Sequence, residues 1–218
     1  MFSHIQSIAR GKTLMRTLMN ERVRRYALAG LVVDIGGGEG PSYLEYFSRR
    51  SLVRRVSLDG ASSRSASVVP IDLERDALPF PAGAADTVLL FNILEHIFNH
   101  THLLAEVRRI IAMHGVVYGF VPFFINYHPD PHDFFRYTKE ALARLFAGSG
   151  FETAELAEIG TGPFGLIFNI MTVIAAPLSP LIALFFPFFY AADRAYQSVR
   201  PHAIERFPLG YFFVLRPR

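Results

Sequence analysis

The chain has 218 residues, enough for one large domain with a sizeable core. It contains no Cys, which excludes a disulfide framework and any thiolate metal site and fits a reducing, cytoplasmic setting. A formal charge of only +3 gives no overall nucleic-acid footprint, while 51% hydrophobic residues and a mean hydropathy of +0.26 keep a lipid contact in view.

Residues 1–28 concentrate basic side chains (Arg10, Lys12, Arg16, Arg22, Arg24 and Arg25) against one acid, Glu21. Apolar residues from Ile5 to Met19 recur at roughly helical intervals, interrupted by Gly11. This predicts a basic helical segment, either capping the fold with a solvated face or lying on an anionic membrane surface. Charges interrupt every stretch, so it has no signal-peptide h-region.

Leu31-Val32-Val33 is an apolar, β-branched run that ends in Asp34-Ile35-Gly36-Gly37-Gly38-Glu39-Gly40. It predicts a buried strand entering a loop whose glycines permit positive φ and close approach of a ligand to the backbone. Pro41 and Ser42 then open an expected helix over Tyr43–Arg50, with Ser42 as its N-cap. A second strand, Val53–Leu58, ends at Asp59, which lies 25 residues after Asp34 and suits contact with ribose hydroxyls. Val68–Ile71 is a short third strand ending at Asp72-Leu73, and the link 60–67 is too short for a full crossover helix. Ala85–Phe91 predicts a fourth strand ending at Asn92. Glu95-His96 is placed on the helix that follows, and Leu103–Ala112 continues as an amphipathic helix closed by His114-Gly115. Val116–Val121 is the fifth strand.

These stretches, in this order, resemble a class I S-adenosylmethionine-dependent methyltransferase. They are Val-Val-Asp-Ile-Gly-Gly-Gly-Glu-Gly, Ser-Leu-Asp, Ile-Asp-Leu, and the run from Asp86 through Phe91-Asn92 to Leu94-Glu95-His96-Ile97. The last resembles a small bacterial branch with a Leu-Glu-His motif. A dinucleotide fold is excluded, because Gly-x-Gly-x-x-Gly counted from Gly36 puts Pro41 where its last glycine belongs. The resemblance implies an α/β, Rossmann-like seven-stranded sheet with strand 7 antiparallel and helices on both faces. It implies that Asp34, Gly36, Gly38 and Gly40 hold the methionine part of S-adenosylmethionine. Asp59 would bind the ribose, Asp72 and Leu73 would flank adenine, and Asn92 would lie beside the sulfonium.

The stretch Asn126–Thr138 is dense in Tyr, His, Asp and Arg, and Pro129 and Pro131 keep it from forming a helix. The segment from His132 to Thr138 also resembles this branch. His132 is the preferred general base for an acceptor hydroxyl, with His96 as second candidate. Tyr127, His128, Asp133, Arg136 and Tyr137 are candidate acceptor contacts, and the alternative is that Asp133, Arg136 and Tyr137 lock the loop while Thr138 caps the next helix. His96, His100 and His102 lack a companion that would complete a recognisable metal site, so no metal is expected.

Phe151–Ile159 predicts a sixth strand, and no charged residue occurs between Glu158 and Asp193. This apolar insertion, residues 160–192, predicts helices over Phe164–Ala176 and Leu181–Ala192, the second kinked by Pro187. Neither reaches the ~20 residues of a membrane span. Gly210–Leu215 is the seventh strand, so the insertion must return to the side it left. Three occupants suit it: the cytoplasmic face of a membrane touched peripherally, an apolar acceptor, or a second copy of the chain in a homodimer. Residues 29–218 are thus expected to form one methyltransferase domain carrying this insertion. Its expected activity is methyl transfer to an oxygen of a small-molecule or lipid-linked acceptor, without a nucleic-acid partner. The alternative is a non-catalytic, membrane-associated protein that retains a nucleoside pocket.

Overall fold

The computed structural model describes residues 1–38, 40–48 and 69–218 in full, and 54–59 and 68 as backbone. The expected start of the second strand at Val53, the turn across 60–67 and the side chain of Asp59 lie outside the described residues. The strands are β1 (Leu31–Ile35), β2 (Arg54–Asp59), β3 (Val68–Pro70), β4 (Ala85–Phe91), β5 (Ile111–Pro122), β6 (Phe151–Ile159) and β7 (Gly210–Pro217). They lie in the order β3-β2-β1-β4-β5-β7-β6. The ladders β1–β2, β1–β4, β2–β3 and β4–β5 are all parallel, an α/β Rossmann-like arrangement.

The apolar run of β1 sits between β2 and β4, with Val32, Val33 and Ile35 fully buried, as a central parallel strand requires. Registers Ile35↔Leu58, Ile35↔Leu90 and Phe91↔Phe120 align the carboxyl ends of β1, β2, β4 and β5 along one edge. Asp59 pairs with Pro70, which brings the end of β3 to that edge as well. Every loop that the sequence marks for the cofactor therefore leaves the same side of the sheet.

The helices are α1 (Phe2–Ala9), α2 (Leu14–Val23), α3 (His100–Ile110), α4 (Lys139–Gly148), α5 (Pro163–Ile174), α6 (Ser179–Ala183), α7 (Phe186–Val199) and α8 (Ala203–Arg206). The chain divides into two compact units. One comprises 23–122, 127–157 and 212–218, and the other 1–22, 123–126 and 158–211. The amino-terminal helices thus cluster with the apolar insertion.

In the first unit, α3 buries Leu103, Leu104, Val107 and Ile110. Arg109 and Glu106 of this helix clasp the extended stretch before β4. Glu106 accepts the Leu78 N–H at 2.8 Å, and Arg109 donates to the carbonyls of Leu78 and Phe80 at 2.8 and 2.7 Å. Thr138 caps α4 as expected, its hydroxyl accepting the Ala141 N–H at 3.2 Å.

In the second unit, Phe168 packs on Phe186 and Phe189, with ring centroids 5.5 and 5.3 Å away. The Asn169 side chain accepts the Met15 N–H at 2.9 Å, tying α2 to α5. Asp193, on α7, is fully buried and caps α5 in trans: it accepts the N–H groups of Phe164 and Gly165 at 2.9 and 2.7 Å and the Thr161 hydroxyl at 2.7 Å. A carboxylate at a helix N-terminus satisfies amides that have no partner within the helix.

Four sequence expectations are corrected. Of the helix expected over Tyr43–Arg50, residues 49–50 lie outside the described residues and the rest forms only a 3-10 turn, Ser42–Tyr46, in which Ser42 is the first turn residue and caps nothing. Tertiary bonds replace helical ones there, since the Tyr43 hydroxyl donates to Asp34 and the Ser48 N–H and hydroxyl both donate to the Tyr26 carbonyl. His114-Gly115 does not end a helix: α3 stops at Ile110, and both residues lie within β5. Ile111 pairs with Ala85 ahead of a register shift, and strand pairing of β-branched residues overrides the glycine signal. Glu95-His96 sits on a separate 3-10 turn, Leu94–His96, so His96 and His100 share no helix. The helix expected over Leu181–Ala192 is two, α6 and α7, parted at Leu184-Phe185, and Pro187 lies in the first turn of α7, where its missing N–H breaks no bond, instead of kinking one continuous helix.

Candidate active site

Asp34 is fully buried at the end of β1, and its Oδ1 accepts the Tyr43 hydroxyl at 2.6 Å. The Tyr43 ring stacks on Phe91 with centroids 4.3 Å apart, so β4 fixes the phenol that fixes the carboxylate. Gly36 and Gly38 adopt φ of +75° and +56°, the left-handed region the loop was expected to need. A Cβ on Gly37 would come within 2.2–2.5 Å of the Asp34 carboxylate, so this glycine, not singled out by its sequence spacing, is the sterically critical one. A Cβ on Gly40 would meet nothing within 4 Å, so that position faces open space.

Two further features suit this loop to a polar ligand. The Ser42 hydroxyl is buried without a hydrogen-bond partner among the described residues. Asn92 takes φ +52°, and its N–H donates to Phe120 O at 2.9 Å, which turns the chain sharply as it leaves β4. Asp59 is placed by its backbone at the same edge, through the Ile35↔Leu58 register. Leu73 is buried, whereas Asp72 is engaged locally, its Oδ1 accepting the Glu74 N–H at 3.0 Å in an Asx-type turn.

The acceptor-side loop is organised around a part-buried ion pair, its carboxylate buried and its guanidinium partly exposed. Arg136 grips Asp133 in a fork, with Nη1–Oδ1 at 2.5 Å and Nη2–Oδ2 at 2.7 Å. That guanidinium holds the Asp133 carboxyl well below the usual carboxylate range. Asp133 Oδ2 also accepts the His128 N–H at 3.0 Å and lies 3.3 Å from His128 Nδ1. Tyr137 is buried, its hydroxyl 3.1 Å from both Leu94 O and His100 Nδ1, and burial pushes its pKa up. Asp133, Arg136 and Tyr137 therefore lock the loop. Tyr127 is exposed at its start.

The histidines separate into two groups. The His132 ring is exposed against Phe134, with centroids 5.2 Å apart, and the His132 carbonyl faces His96 Nδ1 at 2.5 Å. His96 and His128 meet edge to face at 5.0 Å. Beside them Glu95 is fully buried, with neither carboxylate oxygen hydrogen-bonded among the described residues, and Oε1 stands 3.7 Å from His96 Nε2. Burial raises the Glu95 pKa to about 8, against the pull of the Arg136 charge. His100 and His102 turn elsewhere, to the Tyr137 hydroxyl and the Asp76 carbonyl. Sequence reasoning passed over Glu95 as a site residue. Its signal was an ionisable group inside the apolar run Phe91–Ile97.

Residues 33–119 match the family described as a methyltransferase domain. No match is found among curated proteins. Solved structures share the fold at low identity. An Archaeoglobus fulgidus SAM-dependent methyltransferase superposes with a TM-score of 0.60 at 17% identity, covering 92% of this chain and 94% of that one. A putative methyltransferase in complex with the Haloferax volcanii Trm112 activator gives 0.58 at 17%, covering 98% and 97%. Streptomyces coelicolor geranyl diphosphate C-methyltransferase gives 0.54 at 14%, covering 94% and 79%. The matched segment, residues 33–119, spans the glycine loop, Asn92 and Glu95-His96, and the chain as a whole has the fold of S-adenosylmethionine-dependent methyltransferases.

Proposed function

We propose that the chain transfers the methyl group of S-adenosylmethionine to an oxygen of a small-molecule or lipid-linked acceptor. The observation that carries this reading is that the left-handed glycine loop and buried acid Asp34 end β1 beside the end of β4, whose following turn bears His96 and meets the His132 carbonyl. The cofactor supplies an electrophilic methyl on a sulfonium. Asp34 and the loop Gly36, Gly38 and Gly40 hold its methionine part, and the buried Ser42 hydroxyl offers an unused donor there. Asp59 takes the ribose hydroxyls, Asp72 and Leu73 flank the adenine, and Asn92 borders the sulfonium. Orientation of the acceptor then supplies much of the acceleration.

Oxygen methylation at neutral pH calls for a proton acceptor. His132, with its ring exposed, takes that role. His96 is drawn into the cluster with Glu95 and His128. In this reading β7 runs antiparallel between β5 and β6, and residues 160–192 give a peripheral lipid contact that brings an apolar acceptor to the enzyme. Among the described residues no single helix is long and apolar enough to cross a membrane, whereas the bent pair α5 and 176–183 passes that test jointly.

Calorimetry with S-adenosylmethionine and its demethylated product tests the donor half: one site per chain is expected. No binding at millimolar cofactor overturns it in favour of a non-catalytic, membrane-associated protein. NMR after turnover of ¹³C-methyl cofactor with lipid and polar cell fractions tests the oxygen: a methyl ether or ester signal is expected, and only N- or C-methyl signals would reject it.

A further inference from the structure

We infer that Glu95, His96 and His128 form a binding site for one divalent first-row transition-metal ion, of which Zn²⁺ is the probe. The candidate ligand atoms of these three residues lie within 4.8 Å of one another. Metal–ligand distances of about 2 Å in a tetrahedral site put ligand atoms roughly 3.3 Å apart. The 3.7 Å between His96 Nε2 and Glu95 Oε1 is already close to that. Small rotations of the half-buried His128 ring bring in the third ligand.

Three independent features point to a cation. Glu95 is fully buried with neither oxygen hydrogen-bonded among the described residues, a desolvation cost that a cation held between the two imidazoles would remove. The Arg136 guanidinium nearby is already spent on Asp133. Both imidazoles have Nδ1 facing an oxygen acceptor, the His132 carbonyl for His96 and the Asp133 carboxylate for His128. For His96 that partner suits an Nδ1–H and leaves Nε2, 3.7 Å from Glu95 Oε1, toward the cluster, while Asp133 stands behind the His128 ring, the outer-shell arrangement of metal-ligating histidines. Asp133, itself clamped by Arg136, makes a carboxylate–histidine pair of the kind found behind zinc ligands.

Two imidazoles and one carboxylate suit zinc, manganese or iron better than magnesium or calcium, which prefer all-oxygen sets. Three protein ligands leave a coordination position open, as in catalytic sites. Resting on the proposed methyl transfer, that position would take the acceptor hydroxyl oxygen and lower its proton affinity, so that its proton passes to His132 and the oxyanion bonds the methyl as the sulfonium–methyl bond breaks, leaving a neutral thioether. Metal binding itself does not depend on that reading.

The full chain, dialysed against chelator, is titrated with Zn²⁺ by calorimetry and with Co²⁺ by visible absorption. One ion per chain is expected, with d–d bands of a low-coordinate nitrogen–oxygen site. Glu95→Gln and His128→Ala should each weaken binding about 100-fold, and Asp133→Asn about 10-fold through orientation of His128. His102→Ala should bind as the wild type does. Circular dichroism confirms that each variant is folded, and the near-isosteric Glu95→Gln and half-exposed His128 keep the test independent of a folding defect. No stoichiometric binding by the folded wild type, or unchanged binding in both Glu95→Gln and His128→Ala, overturns the site. Metal binding without cofactor binding would reject the methyl-transfer reading while leaving the metal site standing.

Discussion

The glycine loop gives the sharpest contrast between neighbouring residues. Gly37→Ala drives a methyl group into the Asp34 carboxylate, which the Tyr43 hydroxyl and the strand hold in place. Overpacking of this kind costs about 1–3 kcal/mol. Urea denaturation should show that loss, and calorimetry should show cofactor affinity falling at least tenfold. Gly40→Ala meets nothing within 4 Å and should leave stability within about 0.5 kcal/mol of wild type. Its cofactor affinity should nonetheless fall, because the space the methyl group enters is the space the ligand needs. Gly36, Gly38 and the acid before them were legible from spacing alone. Gly37 was not, since what makes it indispensable is a side chain on the preceding strand.

At the scale of elements, two carboxylates hold segments together. Asp193→Ala removes the acceptor for two α5 amides and the Thr161 hydroxyl inside a buried site. Three stranded donors should cost about 3 kcal/mol or more, read as a drop in the urea midpoint. The sequence showed Asp193 only as the end of a charge-free run, because a cap contributed from 28 residues downstream carries no local pattern. The second carboxylate is Glu106. Its hydrogen bonds from Arg109 hold its pKa below the usual carboxylate value. A group whose folded pKa is depressed stabilises above its unfolded pKa, and that stability disappears as pH falls through the folded value. Wild type should therefore lose more stability than Glu106→Gln between pH 7 and pH 3, as measured by urea unfolding at each pH. Equal losses would show that the clasp on Leu78 and Phe80 adds nothing.

On the scale of the molecule, the unit containing α5–α7 exposes Ile167, Ile170, Ile174, Leu181, Leu184, Phe185 and Phe188, with Ile174 at 79% and Phe188 at 72%. So much exposed apolar surface in one unit exceeds scattered surface hydrophobes. The same unit carries Arg10 and Arg16, which suits it to anionic lipid. Vesicles containing anionic phospholipid should co-sediment the wild type. Ile174→Glu with Phe188→Glu should abolish capture without lowering the urea midpoint. If the wild type ignores vesicles but sediments as a dimer that the double variant breaks, a second copy covers this face instead.

Strand identities and the glycine loop after β1 followed from the sequence itself, because buried parallel strands favour unbroken β-branched runs and a tight turn at positive φ favours glycine. Those constraints are local and so are written in consecutive residues. The 3-10 turn at Ser42–Tyr46, the clasp of Glu106 and Arg109, the trans cap by Asp193 and the meeting of Glu95, His96 and His128 were decided only by tertiary structure. Each rests on side chains that packing brings together from separate segments, and no spacing along the chain records such a contact.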